Sequence, residues 1–475
     1  MITIEATGVT RAGRITHNCL GLYSDHNNWM PGVVPTGADT AIFGSSGGTT
    51  LAVDLNTSAN AWQFTGGNYT IYIGYGFSFA FTGAGVQVTG GSARIELNDG
   101  STLGFAGPSD GGTAAYVLDP HSTLAFYGTG PNGDNIVHIG SLAGGSTSKV
   151  SLESQTLLVG SNNLSTTFAG EIFSDLPGTA LVKVGTGTLT WSGNFAANFP
   201  GSITIAGGTF DLDTANAVPG FVFGASVAET LRIESVALPG NGFAPPISAL
   251  GAGNTIDLPG LPFVPGATMT GFGMVTNGTT TIHFSSVSVA GANDEALALG
   301  DDHGGTRVML GILGTAGKNL VDATHHPAGQ VSSSNRPDVI LGLGGNDVLK
   351  GLGGNDILVG GAGKDVLYGG PGADTFVYQQ LSDSKPAHPD VIMDFKHAQH
   401  DKIDLFDLFD ATNHVALRFI GAETFAQYHH AHPTVFGMVR YAGGEVQVNV
   451  NANLAPDLAI VMHGAPALHA GDFIL

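Results

Sequence analysis

Five aspartates, Asp338, Asp347, Asp356, Asp365 and Asp374, recur at intervals of nine within the run NRPDVILGLGGNDVLKGLGGNDILVGGAGKDVLYGGPGADTFV. Each unit follows G-G-x-G-x-D-x-U-x, with U a large apolar residue. The best copies are Gly360-Gly361-Ala362-Gly363-Lys364-Asp365-Val366-Leu367-Tyr368 and Gly369-Gly370-Pro371-Gly372-Ala373-Asp374-Thr375-Phe376-Val377. The glycines allow positive φ and close backbone approach, so six residues can form a tight turn. The triplet that follows carries one inward apolar side chain: Ile340, Leu349, Leu358, Leu367 or Phe376. Two nonapeptides therefore make one coil. Aspartates eighteen residues apart then stack at about the 4.8 Å strand spacing, which places Asp338, Asp356 and Asp374 along one edge and Asp347 and Asp365 along the other.

Such rows repel themselves. At an effective dielectric of about 20, two bare charges at that separation cost on the order of 3 kcal/mol. A hard cation between the turns removes the penalty, and calcium fits best because it takes 6–8 oxygens from carboxylates and turn carbonyls in irregular geometry. Adjacent pairs give three expected calcium sites, 338/356, 347/365 and 356/374. Their ligand-bearing residues are the five aspartates and the turn residues Gly345, Gly354, Gly361, Gly363, Gly370 and Gly372. The competing reading is a flexible Gly/Asp-rich loop without metal; five copies in phase, each with an apolar residue two after the aspartate, count against it. The segment resembles the RTX parallel β-roll of proteins exported by bacterial type I secretion. The first copy departs from the pattern, with Ser333-Ser334-Asn335-Arg336-Pro337 where the glycines belong.

Beyond the repeats, Asp390-Val391-Ile392-Met393-Asp394-Phe395 and then Asp401-Lys402-Ile403-Asp404-Leu405 resemble the segment that closes the β-roll in serralysin-type C-terminal domains. His400 stands where that pattern usually has Gly. The ending Asp472-Phe473-Ile474-Leu475, an acidic residue followed by three apolar ones, is similar to the uncleaved C-terminal signal of the same export route. The resemblance implies a secreted protein of a Gram-negative bacterium, with calcium ions and the type I machinery as partners.

Composition agrees. With Lys+Arg 16 against Asp+Glu 38 and a net charge of −22, the chain lacks the basic face that nucleic acid or an anionic membrane would need. The 73 glycines suit tight turns and short strands. One cysteine, Cys19, cannot form an intramolecular disulfide framework. No apolar run reaches about 18 residues, so no membrane span is expected, and the start Met1-Ile2-Thr3-Ile4-Glu5-Ala6 lacks the features of a secretory leader.

Residues 1–320 alternate short Val/Ile/Phe/Thr/Leu runs with Gly/Asn/Asp/Ser turns, which are strands. Gly100-Ser101-Thr102-Leu103-Gly104-Phe105 and His121-Ser122-Thr123-Leu124-Ala125-Phe126 echo one another twenty-one residues apart, a period that suits one rung of a β-solenoid. The stretch from Val184 to Asn194, with Gly201 to Leu212, resembles the β-strand repeat of autotransporter passenger domains. Asn28-Trp29-Met30-Pro31-Gly32 looks like the start of such surface proteins; Trp29 is read as a cap over the first rung in preference to a carbohydrate platform.

Catalytic signals are sparse. There is no His-Glu-x-x-His, so no zinc protease is implied. Gly44-Ser45-Ser46-Gly47-Gly48 matches G-x-S-x-G without a strand-turn-helix context, and Tyr428-His429-His430-Ala431-His432 is read as a solvated loop in preference to a metal site. The serious rival is a polysaccharide lyase, hydrolase or epimerase on a parallel β-helix. Such enzymes need Asp with Arg or Lys, and residues 1–330 offer Arg11, Arg14, Arg94, Lys149, Lys183, Arg232, Arg307 and Lys318 with no evident pair. The expectation is therefore an all-β chain: a parallel β-helix or solenoid over 1–320, a linker over 321–335, an RTX β-roll over 336–378, and a serralysin-like segment with its β cap and export signal over 379–475. Its expected role is that of a non-catalytic surface, matrix or adhesion protein, with cell-surface or extracellular polysaccharide as a further partner.

Overall fold

The computed structural model describes residues 2–6, 9–13, 21–26, 29, 34–44, 49–174, 176–196, 199–225, 228–264, 267–270, 273–290, 295–301, 303–408, 416–435 and 437–475. The fold is all-β and builds parallel β-solenoid, as the turn density and periodicity predict. The chain packs as two units, Met1–Ala249 and Leu250–Leu475.

In the first unit the echoed hexapeptides lie on consecutive rungs. Strands Thr102–Phe105 and Thr123–Phe126 pair in parallel with Leu103 opposite Leu124 and Phe105 opposite Phe126. The same column continues through Val150, Ile172 and Phe195. A second column runs Ile71, Ile95, Tyr116 and Leu142, and further on Leu189, Phe210 and Leu231. A third runs Val137, Leu157, Leu181, Ile203, Phe221 and Ile247. Strand residues alternate inward and outward because of the two-residue pleat, so most four-residue strands, such as Ala115–Leu118 and Thr123–Phe126, contribute two core residues and leave two facing out. Like side chains then stack between rungs: Phe81, Phe105 and Phe126 have ring centroids 5.1 and 5.0 Å apart. Each such buried ring contributes about 1.5–3 kcal/mol.

Serines lock the corners. Ser109, Ser122 and Ser148 are buried, and each hydroxyl donates to the carbonyl three residues earlier, Ala106, Asp119 and Gly145, at 2.6, 2.7 and 2.6 Å. Lys183 is also buried; its ammonium donates to the carbonyls of Val184, Gly185 and Gly207 at 2.8, 3.1 and 3.0 Å. Burial pulls its pKa down to about 8.

The second unit opens with antiparallel strands. Thr255–Leu258 and Glu295–Gly300 both pair with Thr306–Thr315. The far half of Thr306–Thr315 then pairs in parallel with Val339–Gly345, so one long strand joins the antiparallel part to the roll. Two parallel columns follow. One runs Ile312, Ile340, Leu358, Phe376, Ile403 and Phe473; the other runs Val321, Leu349, Leu367, Ile392 and Met462. The five expected inward residues, Ile340, Leu349, Leu358, Leu367 and Phe376, are fully buried. Strands Leu458–Met462, Glu445–Asn449 and Met438–Ala442 turn antiparallel and close the second column, the expected β cap.

The His-rich stretch is helical where a loop was expected. Phe425–Ala431 is a seven-residue helix whose N-cap Thr424 and Gln427 form a reciprocal capping box, a T-x-x-Q signal present in the sequence. The helix buries Phe425 and Tyr428. No helix among the described residues is long and apolar enough to cross a membrane.

Candidate metal centre

The turns of the roll place glycine where no side chain fits. A Cβ on Gly345 would meet the backbone of Gly317 and Lys318, and one on Gly354 the backbone of Arg336 and Pro337. Both residues adopt left-handed φ, 113° and 116°, so rungs can approach this closely only with glycine there.

The close approach makes a carboxylate ladder. The backbone N–H of Asp338 donates to Asp356 Oδ1 at 2.9 Å, that of Asp347 to Asp365 at 2.8 Å, and that of Asp356 to Asp374 at 2.9 Å. These are the three pairs expected from the eighteen-residue offset. The ladder extends beyond the repeats: Asp365 N–H donates to Asp390 Oδ1 at 2.7 Å and Asp374 N–H to Asp401 Oδ1 at 3.1 Å. At its N-terminal side Asn319 N–H donates to Asp347 at 2.6 Å. Sequence reasoning singled out the segment of Asp390 and Asp401 for closing the roll and missed both as ladder members, because insertions stretch the offsets to 25 and 27 residues. The usable signal was local. Asp390-Val391-Ile392 and Asp401-Lys402-Ile403 keep the aspartate two before an inward apolar residue.

One oxygen of each accepting carboxylate is thus held by a backbone amide; in Asp401 the other accepts the Lys396 N–H at 2.7 Å, and in the remaining five it is left over. Oδ2 of Asp347, Asp356, Asp365, Asp374 and Asp390 is buried and accepts no hydrogen bond. Four of these oxygens face the first glycine of their own turn: a Cβ on Gly342 or Gly360 would lie 2.5 Å from Oδ2 of Asp347 or Asp365, and Gly351 and Gly369 stand likewise against Asp356 and Asp374. These four glycines were absent from the expected set. Asp338 differs, because its Oδ2 accepts the Ser334 N–H at 2.7 Å and the Ser334 hydroxyl at 3.1 Å.

Burial pushes the carboxyls upward, against the one backbone amide that each receives, to about 8 at Asp356, about 7 at Asp365, about 6 at Asp374 and about 9 at Asp390, with neighbouring aspartates adding repulsion. Buried anionic oxygens next to backbone carbonyls are a donor set for a hard divalent cation, and calcium meets that description. The linkage has a definite sign. Carboxyls raised in the folded state stabilise it only when protonated, so the cation-free roll gains stability as pH falls from about 9 toward 4. In calcium the same protons compete with the ion. Circular dichroism in chelator should therefore show more β structure at pH 5 than at pH 8, while the calcium concentration at half-folding should be higher at pH 5.

This ladder and its antiparallel closure coincide with a known module. Residues 338–475 match the family model described as peptidase M10 serralysin C terminal. They form a serralysin-type C-terminal module. No curated protein aligns significantly with the chain. The match covers the C-terminal part only, and modules of this kind bind calcium and belong to secreted proteins.

Outside the serralysin-type module, the other candidate residues resolve as follows. Trp29 is buried, donates its indole N–H to the Tyr23 carbonyl at 2.7 Å and packs edge-on against Tyr23, so it presents no carbohydrate platform. Arg94 pairs with Glu96 at 2.5 Å, and Lys149 lies 3.9 Å from Glu171. Arg232 bonds Glu234 at 2.9 Å and lies 4.0 Å from Asp211. Cys19, Arg14 and residues 45–48 of the G-x-S-x-G match lie outside the described residues, as do Asn28 and residues 30–32. Within the serralysin-type module, His429 and His432 turn their Nδ1 atoms to the carbonyls of Val435 and Tyr428 at 3.2 and 3.1 Å.

Proposed function

We propose that the chain is a secreted, calcium-binding RTX protein with a non-catalytic solenoid. In this reading residues 1–320 are a surface, matrix or adhesion element, 336–378 bind calcium through the expected aspartates and turn glycines, and 379–475 close the roll and carry the type I export signal. The observation that supports it most is the set of buried carboxylate oxygens without donors at Asp347, Asp356, Asp365, Asp374 and Asp390. The scaffold half is supported by how the basic side chains of the first unit are used: Lys183 caps backbone carbonyls, and Arg94 and Lys149 sit in surface pairs. The outward positions of the strands carry Thr and Ser, as in Thr102–Phe105, Lys149–Leu152 and Thr188–Trp191, a surface suited to many weak polar contacts with an extracellular glycan.

A second reading, a polysaccharide lyase, hydrolase or epimerase, is favoured by one cluster. Thr190, Asp211 and Arg232 lie in register on successive rungs. Burial raises the Asp211 carboxyl, Thr190 donates to it at 3.0 Å, and Arg232 spans the distance to Glu234. A carboxyl of raised pKa beside a guanidinium is an arrangement that acid–base chemistry uses. Incubation with alginate, pectin and related acidic polymers separates the readings. The scaffold predicts retention on a glycan column with no unsaturated product and no new reducing ends; turnover lost in Asp211→Asn or Arg232→Ala would establish the enzyme instead. For export, removal of residues from 415 onward should hold the protein inside cells carrying a type I exporter, whereas deletion of 1–30 should not. Normal amounts of the C-terminal truncation in the medium would contradict that route.

A further inference from the structure

The serralysin-type module carries a second group of metal-ligating side chains whose chemistry differs from the aspartate ladder. We infer that His397, His469 and Asp472 bind a borderline divalent ion of the zinc class. Their ligand atoms all lie within 4.8 Å of one another. The fold brings them together: strand Phe473–Ile474 pairs in parallel with Ile403 and Asp404, which sets the turn Ala470–Asp472 beside the turn His397–Gln399.

Asp472 is the fixed member. Its side chain is 1% exposed, Oδ1 meets His397 Nδ1 at 2.5 Å, and Oδ2 accepts the His469 N–H at 2.7 Å. The His469 imidazole in turn accepts the Asp472 N–H, so a ring nitrogen with its lone pair faces the carboxylate side of the turn. His469 Nδ1 lies 3.6 Å from Asp472 Oδ2. An ion bound to that nitrogen takes the place of the Asp472 N–H as its partner and bridges the imidazole to the carboxylate.

An ion fits that gap. Tetrahedral coordination with bonds of about 2.0–2.1 Å sets ligand atoms about 3.4 Å apart, close to the His469–Asp472 spacing. His397 would have to withdraw by about 1 Å, and its side chain is 60% exposed. The donor set selects the ion. Two imidazoles with one carboxylate suit zinc, nickel or copper, whereas calcium and magnesium take oxygen. Three protein ligands leave a position for water, so the site is of the open kind. Lys402 donates to the Gly471 carbonyl, which puts one cation beside the turn already and moderates the affinity. Occupied, the site clamps the last strand of the chain to the segment that follows the roll.

The test uses the full chain saturated with calcium, so that the aspartate rows are filled, titrated calorimetrically with zinc chloride. One zinc per chain is expected, with binding weakened at least tenfold in His397→Ala and in His469→Ala, and abolished in the double variant. His429→Ala/His430→Ala/His432→Ala should bind as the parent does. Hydrogen exchange should slow on zinc addition at 396–400 and 469–475. Equal uptake by the parent and the double variant, loss of uptake in the helix variant, or no uptake at all would overturn the assignment and leave the cluster a hydrogen-bonded clasp. Should the double variant fail to fold, X-ray absorption of the zinc-loaded parent decides: two imidazole shells support the site, and oxygen-only scattering refutes it.

Discussion

Chelating calcium should unfold residues 338–404 while the first unit stays folded. The roll buries one large apolar side chain per nine residues, worth about 1.5–3 kcal/mol, against a backbone ordering cost of about 1–2 kcal/mol for every residue. Backbone pairing narrows that deficit, and the stacked carboxylates widen it. At neutral pH a cation between turns reverses the balance, so folding should return at about 10⁻⁴–10⁻³ M calcium, the range of extracellular modules. Hydrogen exchange read by peptide reports each region separately: amides of 338–404 should exchange fast in chelator and slowly in calcium, with the rungs between Ser78 and Leu212 unchanged. Equal protection of 338–404 in both conditions would show that the roll does not need the ion.

The second large effect separates two residues that the nine-residue repeat makes equivalent. Asp356→Ala should raise the calcium concentration at half-folding at least tenfold, about 1.4 kcal/mol, and flatten the transition. Asp338→Ala should shift it less than about threefold. Asp356 is 1% exposed, holds the Asp338 amide through one oxygen, and keeps the other against Gly351 of its own turn without a donor. Asp338 already spends an oxygen on Ser334. Equal shifts from the two substitutions would mean that position along the row does not matter.

Periodic features were readable from the chain alone. The nine-residue repeat gave the inward column, the two aspartate edges and the register of the ladder, because a turn of fixed length leaves the backbone no freedom to change offset. The twenty-one-residue echo gave the rung for the same reason. Features set by contacts distant in sequence were not readable. Asp390 and Asp401 join the ladder only because the loops before them vary in length while the strands stay in column. Asp472 meets His397 only because the last strand returns to the roll. The histidine helix was misjudged as a loop because composition outweighed its capping box. The ionic pairing of Arg232 with residues on its own and the preceding rung likewise needs the stack to be seen.

The direction of the ladder hydrogen bonds gives the roll an arrow. In every pair the earlier aspartate supplies the amide and the later one supplies the oxygen that receives it, and the final acceptors, Asp390 and Asp401, stand outside the repeats. Each repeat therefore finds its anchor on the rung that follows it in the chain. A nascent chain halted after residue 378 would present amides with nothing to receive them. The closing segment is accordingly the keystone of both rows: without Asp390 and Asp401 the amides of Asp365 and Asp374 lose their acceptors, however complete the repeats themselves are.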